Sequence, residues 1–100
     1  MVKRIVWTKQ ALDDKLKILT YWNNRNKSNI YSRNLNHVFK DTTVLIRDNP
    51  SLGRETENPK VKNIIVRDYL MFYEPTEDTI VILHIWDSRR NPEELKYKLK

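Results

Sequence analysis

The chain has 100 residues, which is long enough for one compact core, and we expect residues 1–100 to form a single domain. With 39% hydrophobic and 32% charged residues, its composition is globular and excludes a disordered or collagen-like chain. The absence of cysteine excludes disulfides and thiolate chemistry, and 19 basic against 13 acidic residues give a net charge of +6.

The first half of the sequence predicts a strand followed by two helices. Residues 3–7 are expected to form the strand, and Thr8 can cap the first helix because its hydroxyl accepts from a first-turn N–H. The apolar stripe of this helix is predicted to consist of Ala11, Leu12, Leu16, Ile18, Leu19 and Trp22. The polar stretch 23–29 ends it. A second helix has heptad-like spacing of Tyr31, Leu35, Val38, Thr42 and Leu45. Asn49-Pro50 ends that helix, because a residue before proline avoids the helical region.

The second half of the sequence, after Gly53, predicts a sheet. Three segments rich in β-branched and aromatic residues are Val61–Val66, Tyr69–Glu74 and Thr79–Trp86. Short turns between them predict a three-stranded antiparallel meander with the N-terminal strand added at one edge. The fold class is therefore α+β, in the order β-α-α-β-β-β, with the helical hairpin packed on a twisted antiparallel sheet and a short C-terminal helix or tail.

Hydropathy predicts a cytoplasmic protein without a membrane partner. No uninterrupted apolar run approaches the roughly 18 residues that a membrane-spanning helix needs. Residues 1–7 lack the apolar core of a secretory signal.

Both faces of the last two predicted strands are apolar. Simple alternation places Ile80, Ile82, His84 and Trp86 on one face of the last strand, opposite Val81, Leu83 and Ile85. In the strand before it, Tyr69, Met71 and Tyr73 lie opposite Leu70 and Phe72. One helical hairpin covers one face, so the other must be covered by the C-terminal segment, by self-association or by a partner chain. We expect a partner or a second copy, because monomers rarely expose such a patch.

The sequence offers few groups for metal or acid–base chemistry. Its two histidines, His37 and His84, have no HExxH or histidine-rich context, so we expect no metal and no cofactor. His84 is expected in a core or interface, with a catalytic role as the alternative. The acid pairs Asp13-Asp14 and Glu93-Glu94 are expected to be solvated or helix-terminal charges.

The strongest polar feature is basic. Arg54 lies in the loop near Gly53, Arg67 lies at a strand turn, and Arg89 and Arg90 follow the last strand. Arg67 is expected at the same sheet edge as Arg89 and Arg90. Arginines placed in this way can bind phosphate or acidic side chains, although a solvated tail is the alternative.

These segments together resemble the RelE/ParE superfamily of type II toxin–antitoxin toxins over nearly the whole chain. The motifs that carry the resemblance are Val6-Trp7-Thr8, Ala11-Leu12-Asp13-Asp14, Tyr21-Trp22, Asn49-Pro50-Ser51-Leu52-Gly53, Val66-Arg67-Asp68-Tyr69-Leu70-Met71-Phe72-Tyr73 and Ile80 to Pro92. The resemblance implies a bacterial growth-inhibiting toxin and a cognate antitoxin encoded beside it, expected to be acidic. It further implies antitoxin contacts on Tyr69, Met71, Tyr73 and Trp86.

Two activities divide this superfamily, and the residues favour the ParE-like one. ParE-like members poison DNA gyrase, for which the expected target-binding residues are Arg67, Trp86, Arg89 and Arg90. RelE-like members instead cut messenger RNA in the ribosome without a metal. For that alternative the site would combine Arg67, His84, Arg90 and Tyr97. Leu70 stands where the RelE-like pattern has an arginine, which counts against the nuclease.

Overall fold

The computed structural model describes residues 3–100, in which a helical hairpin packs on a five-stranded sheet. Met1 and Val2, the first residues of the predicted domain, lie outside the described residues. The elements in chain order are β1 Arg4–Trp7, α1 Lys9–Asn26, α2 Ile30–Asp48, β2 Arg54–Glu55, β3 Lys62–Val66, β4 Tyr69–Pro75 and β5 Thr79–Asp87. A short 3₁₀ turn at Pro92–Glu94 follows them. The predicted α+β class is confirmed, including the helical hairpin and the three-stranded meander.

Local chemistry explains where the two helices begin and end. The Thr8 hydroxyl accepts from the Ala11 N–H at 3.1 Å, as the capping rule predicts, and donates to the Ile82 carbonyl at 3.0 Å. The helix α1 ends at Lys27, whose φ of 51° is left-handed. No helix in residues 3–100 is long and apolar enough to cross a bilayer.

The strands lie in the order β1-β5-β4-β3-β2, with β1 parallel to β5 and the other pairs antiparallel. The sheet is therefore mixed, whereas the sequence predicted an antiparallel one. A parallel pair requires a long connection, and the one between β1 and β5 contains the hairpin of α1 and α2 followed by β2, β3 and β4. The two-residue strand β2 was not predicted, because two residues have no measurable period.

A β-bulge in β5 changes which side chains share a face. Phe72 pairs with His84 and Tyr73 pairs with Ile82, so Leu83 is the extra residue. Ile80 and Ile82 therefore pack under the helices, whereas His84 lies on the other side of the sheet beside Phe72. The predicted common face of Ile80, Ile82, His84 and Trp86 is wrong, because simple alternation holds only without a bulge.

Two apolar clusters use the two faces of the sheet. The larger lies under the helical hairpin and includes Ala11, Leu35, Phe39, Ile46, Met71, Tyr73, Ile80 and Ile82, all at most 1% exposed. The smaller consists of Val61, Phe72, Trp86 and Leu95, with Leu70, Leu83 and Tyr97 packed against it. Leu95 is 4% exposed and Leu99 bridges to Thr56, so the chain's own C-terminal segment covers much of this face. The expectation that a partner or second copy covers it is wrong for these residues.

Candidate functional site

Three exposed arginines meet at one end of the sheet, which we call the basic end: Arg67, Arg89 and Arg90. Arg67 lies in the β3–β4 turn, and the other two follow β5. Ser88 joins the two segments, because its N–H and hydroxyl donate to the Asp68 carbonyl at 2.9 and 2.7 Å. The predicted position of Arg67 at the same edge as Arg89 and Arg90 is therefore observed. Arg54 lies in β2, at the far edge of the sheet.

Neighbouring carboxylates orient two of these guanidinium groups without burying them. Arg89 donates to both carboxylate oxygens of Asp87, at 3.0 and 2.8 Å. This pairing holds the pKa of the Asp87 carboxyl below its ordinary value and raises the pKa of Arg89. Arg90 donates to Glu94 at 3.2 Å and lies 4.6 Å from the ring centroid of Trp86, a cation–π contact. Both arginine side chains are more than half exposed, so they remain available to a target.

Arg67 adopts an unusual backbone conformation. Its φ is 57°, in the left-handed region that costs a residue with a Cβ roughly 1–2 kcal/mol and that glycine occupies freely. The side chain is exposed and has no ion pair among residues 3–100. A strained arginine that forms no such pair is a candidate contact residue.

His84 belongs to a buried pair with Asp14. The His84 Nδ1–H donates to one Asp14 oxygen at 2.5 Å, and the Ile85 N–H donates to the same oxygen at 3.1 Å. Burial alone raises the pKa of Asp14, but the hydrogen bonds from His84, Ile85 and Gln10 outweigh it, so this pKa lies below its ordinary value. The expectation that Asp14 is a solvated charge is wrong. Its position three residues after Ala11, on the buried stripe of α1, was the signal.

The four residues of the nuclease alternative do not form one open site. The His84 ring lies 5.8 Å from Trp86 and 6.5 Å from Tyr97, centroid to centroid, and the residue is 9% exposed. Phe72 pairs with His84 across β4 and β5, and Arg67 lies five residues before Phe72. Roughly 15 Å of strand therefore separates Arg67 from His84 and the aromatic rings around it. His84 lines neither the cavity of about 350 Å³ nor the one of about 310 Å³. Within residues 3–100, no three His, Asp or Glu side chains are grouped to hold a metal.

A family model described as "ParE toxin of type II toxin-antitoxin system, parDE" matches residues 5–92. The chain belongs to this ParE toxin family. A solved structure of the chromosomal ParDE toxin–antitoxin system from P. aeruginosa is also similar, with a TM-score of 0.74 and 17% sequence identity. The similarity covers 86% of this chain and 96% of that one, and at this identity it supports the shared fold. No curated protein matches the sequence.

The residues expected to bind an antitoxin are not on the surface of this ParE-family chain. Tyr69, Met71 and Tyr73 are at most 2% exposed because the helical hairpin covers them. Trp86 is 6% exposed, on the opposite face of the sheet. The predicted antitoxin contacts of Met71 and Tyr73 are therefore wrong as surface contacts, since alternation alone does not tell which face the hairpin covers, whereas Tyr69 lines a cavity between α1 and the end of β5. Leu12 and Leu16, which the sequence placed on the apolar stripe of α1, are exposed on the hairpin, as is Ile30, so the predicted stripe is wrong at these two leucines.

Proposed function

We propose that this ParE-family chain acts as a single toxin domain that poisons DNA gyrase and is neutralised by a cognate antitoxin. The family match over residues 5–92 is the observation that carries the proposal. The exposed basic end supports it, because oriented arginines suit recognition of an acidic protein surface or of nucleic acid.

The environment of His84 weighs against the RNA-cleaving alternative. A general base needs access to the proton that it removes. One ring nitrogen of His84 is bonded to Asp14, and the ring packs against Phe72, Trp86 and Tyr97. Leu70, at the position of the RelE-like arginine, packs against the smaller apolar cluster.

Removing two charges from the basic end should strongly weaken gyrase inhibition. We expect the double variant Arg89→Ala/Arg90→Ala to need at least about tenfold more toxin for half-inhibition of supercoiling, because arginine contacts dominate many interfaces. The measurement is supercoiling of relaxed plasmid by purified gyrase. The matched control is Arg33→Ala/Lys40→Ala, which removes the same charge from exposed positions on α2. Equal loss in both double variants would show that net charge, rather than the basic end, is responsible.

Arg67 permits a test in which function and stability change in opposite directions. Arg67→Gly relieves the left-handed strain, so we expect a gain in stability of about 1 kcal/mol together with weaker gyrase inhibition. Lys27→Gly is the control, since Lys27 has a φ of 51° and is exposed at the end of α1. It should give a similar stability gain, with a rise in Tm of about 4–8 °C, and unchanged inhibition. Unchanged inhibition by Arg67→Gly would remove Arg67 from the target surface.

For the antitoxin we propose a surface on α1 around Leu12 and Leu16, which are 46% and 65% exposed and one helical turn apart. We expect Leu16→Glu to weaken antitoxin binding by about 100-fold, because it removes an apolar contact that the complex would bury and because it repels an acidic partner. Isothermal titration with the antitoxin measures this effect. Asn24→Glu, an exposed position on the same helix, is the control. Equal affinities of the wild type and Leu16→Glu would place the antitoxin elsewhere.

A further inference from the structure

A cavity of about 310 Å³ opens between α1 and the end of β5, and we call it the phenol pocket. The lining residues relevant here are Lys17, Tyr21, Tyr69, Asp87, Arg89 and Arg90. The pocket adjoins the basic end, and Tyr21 and Tyr69 form its aromatic wall. Neither Lys17 nor Tyr21 was among the site residues expected from the sequence.

Tyr69 has an unused hydrogen-bond donor in this pocket. The residue is 2% exposed, and its oxygen accepts from the Trp22 Nε1–H at 2.8 Å. Within residues 3–100, this is the one hydrogen bond that the Tyr69 hydroxyl makes. Burial raises the pKa of Tyr69, so the phenol keeps its proton at neutral pH. Because Tyr69 lines the pocket, an acceptor from outside the chain can reach the donor that this hydroxyl still offers.

The charges around the pocket favour an acceptor that is an anion. The pocket lining contains one carboxylate, Asp87, and three cationic side chains, Lys17, Arg89 and Arg90. Its net charge is therefore +2. Arg89 already satisfies Asp87 through two hydrogen bonds. Lys17 is exposed and has no ion pair in the described part of the chain, so its ammonium group is free to bind a ligand.

Two features favour a nucleic-acid phosphate over a protein carboxylate. The Tyr21 ring is 49% exposed one helical turn from Lys17, and exposed aromatic rings beside cations are typical of sites that stack unpaired bases. The contact of Ser88 with the Asp68 carbonyl also holds the turn that carries Arg67 against the segment that carries Arg89 and Arg90. A chain of regularly spaced anions can reach several such cations, whereas one carboxylate can reach only one or two.

We propose that the phenol pocket binds a backbone phosphate of single-stranded DNA, with the Tyr69 hydroxyl and the Lys17 ammonium as donors and Tyr21 as a stacking surface for an adjacent base. This goes beyond gyrase inhibition, because the toxin alone would bind the DNA. DNA that is held in this way would lie against the basic end.

Fluorescence anisotropy of the full chain with a labelled oligothymidine tests the proposal. We expect binding that weakens as salt rises, because each phosphate contact releases counterions. Tyr69→Phe and Lys17→Gln should each weaken it roughly tenfold. The controls Tyr31→Phe and Lys9→Gln make the same chemical changes outside the pocket and should bind like the wild type. Circular dichroism checks the fold of Tyr69→Phe, and Lys17→Gln tests the pocket even if that variant is unstable.

Three results would overturn the proposal. They are no binding by the wild type, equal binding by both pocket variants and the wild type, and tighter binding of a polyglutamate peptide than of the oligonucleotide at equal salt. The last would assign the pocket to a protein carboxylate. Inhibition of gyrase supercoiling is measured in parallel, which separates the two proposals. Oligonucleotide binding without gyrase inhibition would reject gyrase as the target and would still support DNA binding in the phenol pocket.

Discussion

Replacing Asp14 by alanine is expected to lower the free energy of unfolding by about 3 kcal/mol. The carboxylate accepts from two groups of β5, the Ile85 N–H and the His84 ring, and both would lose their partner. The two side chains are 12% and 11% exposed, so water replaces the lost bonds poorly. Urea unfolding at pH 7 measures the effect. Asp14→Asn retains one acceptor oxygen and should lose about half as much.

The same pair predicts a pH dependence of stability. The pKa of Asp14 is lower in the folded chain than its ordinary value, so folding favours the ionised form. This contribution is fully present above about pH 4 and is lost as the pH falls further, through the folded pKa. Asp14→Asn should show a smaller loss of stability below pH 4 than the wild type. Parallel pH profiles of the two proteins would contradict this role of the carboxylate.

Replacing Gly53 by alanine should cost a similar amount, about 3 kcal/mol, for a steric reason. A Cβ built at Gly53 lies 2.6 Å from the Tyr73 hydroxyl oxygen and 2.8 Å from the Asn63 carbonyl oxygen. The Tyr73 hydroxyl cannot easily move, because it accepts from the Gly53 N–H at 2.8 Å and donates to the Pro50 carbonyl at 3.0 Å. The Asn63 oxygen belongs to the backbone of β3, which is paired with strands on both sides. Thermal unfolding measures the loss, and Ser51→Ala, at an exposed position nearby, should change stability by less than about 0.5 kcal/mol.

A double-mutant cycle tests whether Tyr73 is the obstacle. Tyr73→Phe alone should cost about 2 kcal/mol, since it leaves the Gly53 N–H and the Pro50 carbonyl unpaired. In the combination with Gly53→Ala the closest clash, with the hydroxyl oxygen, is absent, while the contacts with the ring Cε1 and the Asn63 carbonyl oxygen at 2.8 Å remain, so the total should be moderately smaller than the sum. Additive costs would contradict the proposed contact. The contact also gives a structural reason for the glycine of Asn49-Pro50-Ser51-Leu52-Gly53.

Local patterns were sufficient to predict most of the fold. Apolar spacing and the signals of Thr8 and Pro50 predicted the two helices, and β-branched runs predicted β3, β4 and β5. The parallel pairing of β1 was not predictable from spacing, because it depends on where the crossover returns the chain. The bulge at Leu83 was hidden because β5 is apolar on both faces, so no polar residue marks the change of side.

The candidate site was predictable only where it depends on strand ends. Arg67, Arg89 and Arg90 adjoin strand ends in the sequence, so their common end of the sheet followed from the meander. The phenol pocket instead depends on Lys17 and Tyr21 of α1 meeting Tyr69 of β4, a contact between distant segments that periodicity does not encode. Asp14 was misassigned for a related reason: its partners lie on β5, 70 and 71 positions away.

Induction of this chain alone in a bacterial host, without its antitoxin, shows whether it stops growth by poisoning gyrase. The DNA damage response and the integrity of cellular transcripts are recorded in the same culture as growth stops. Gyrase poisoning predicts damage signalling with intact transcripts, and the Arg89→Ala/Arg90→Ala variant should reduce that signal. Codon-phased transcript cuts without damage signalling would contradict gyrase poisoning and favour an RNA-cleaving toxin.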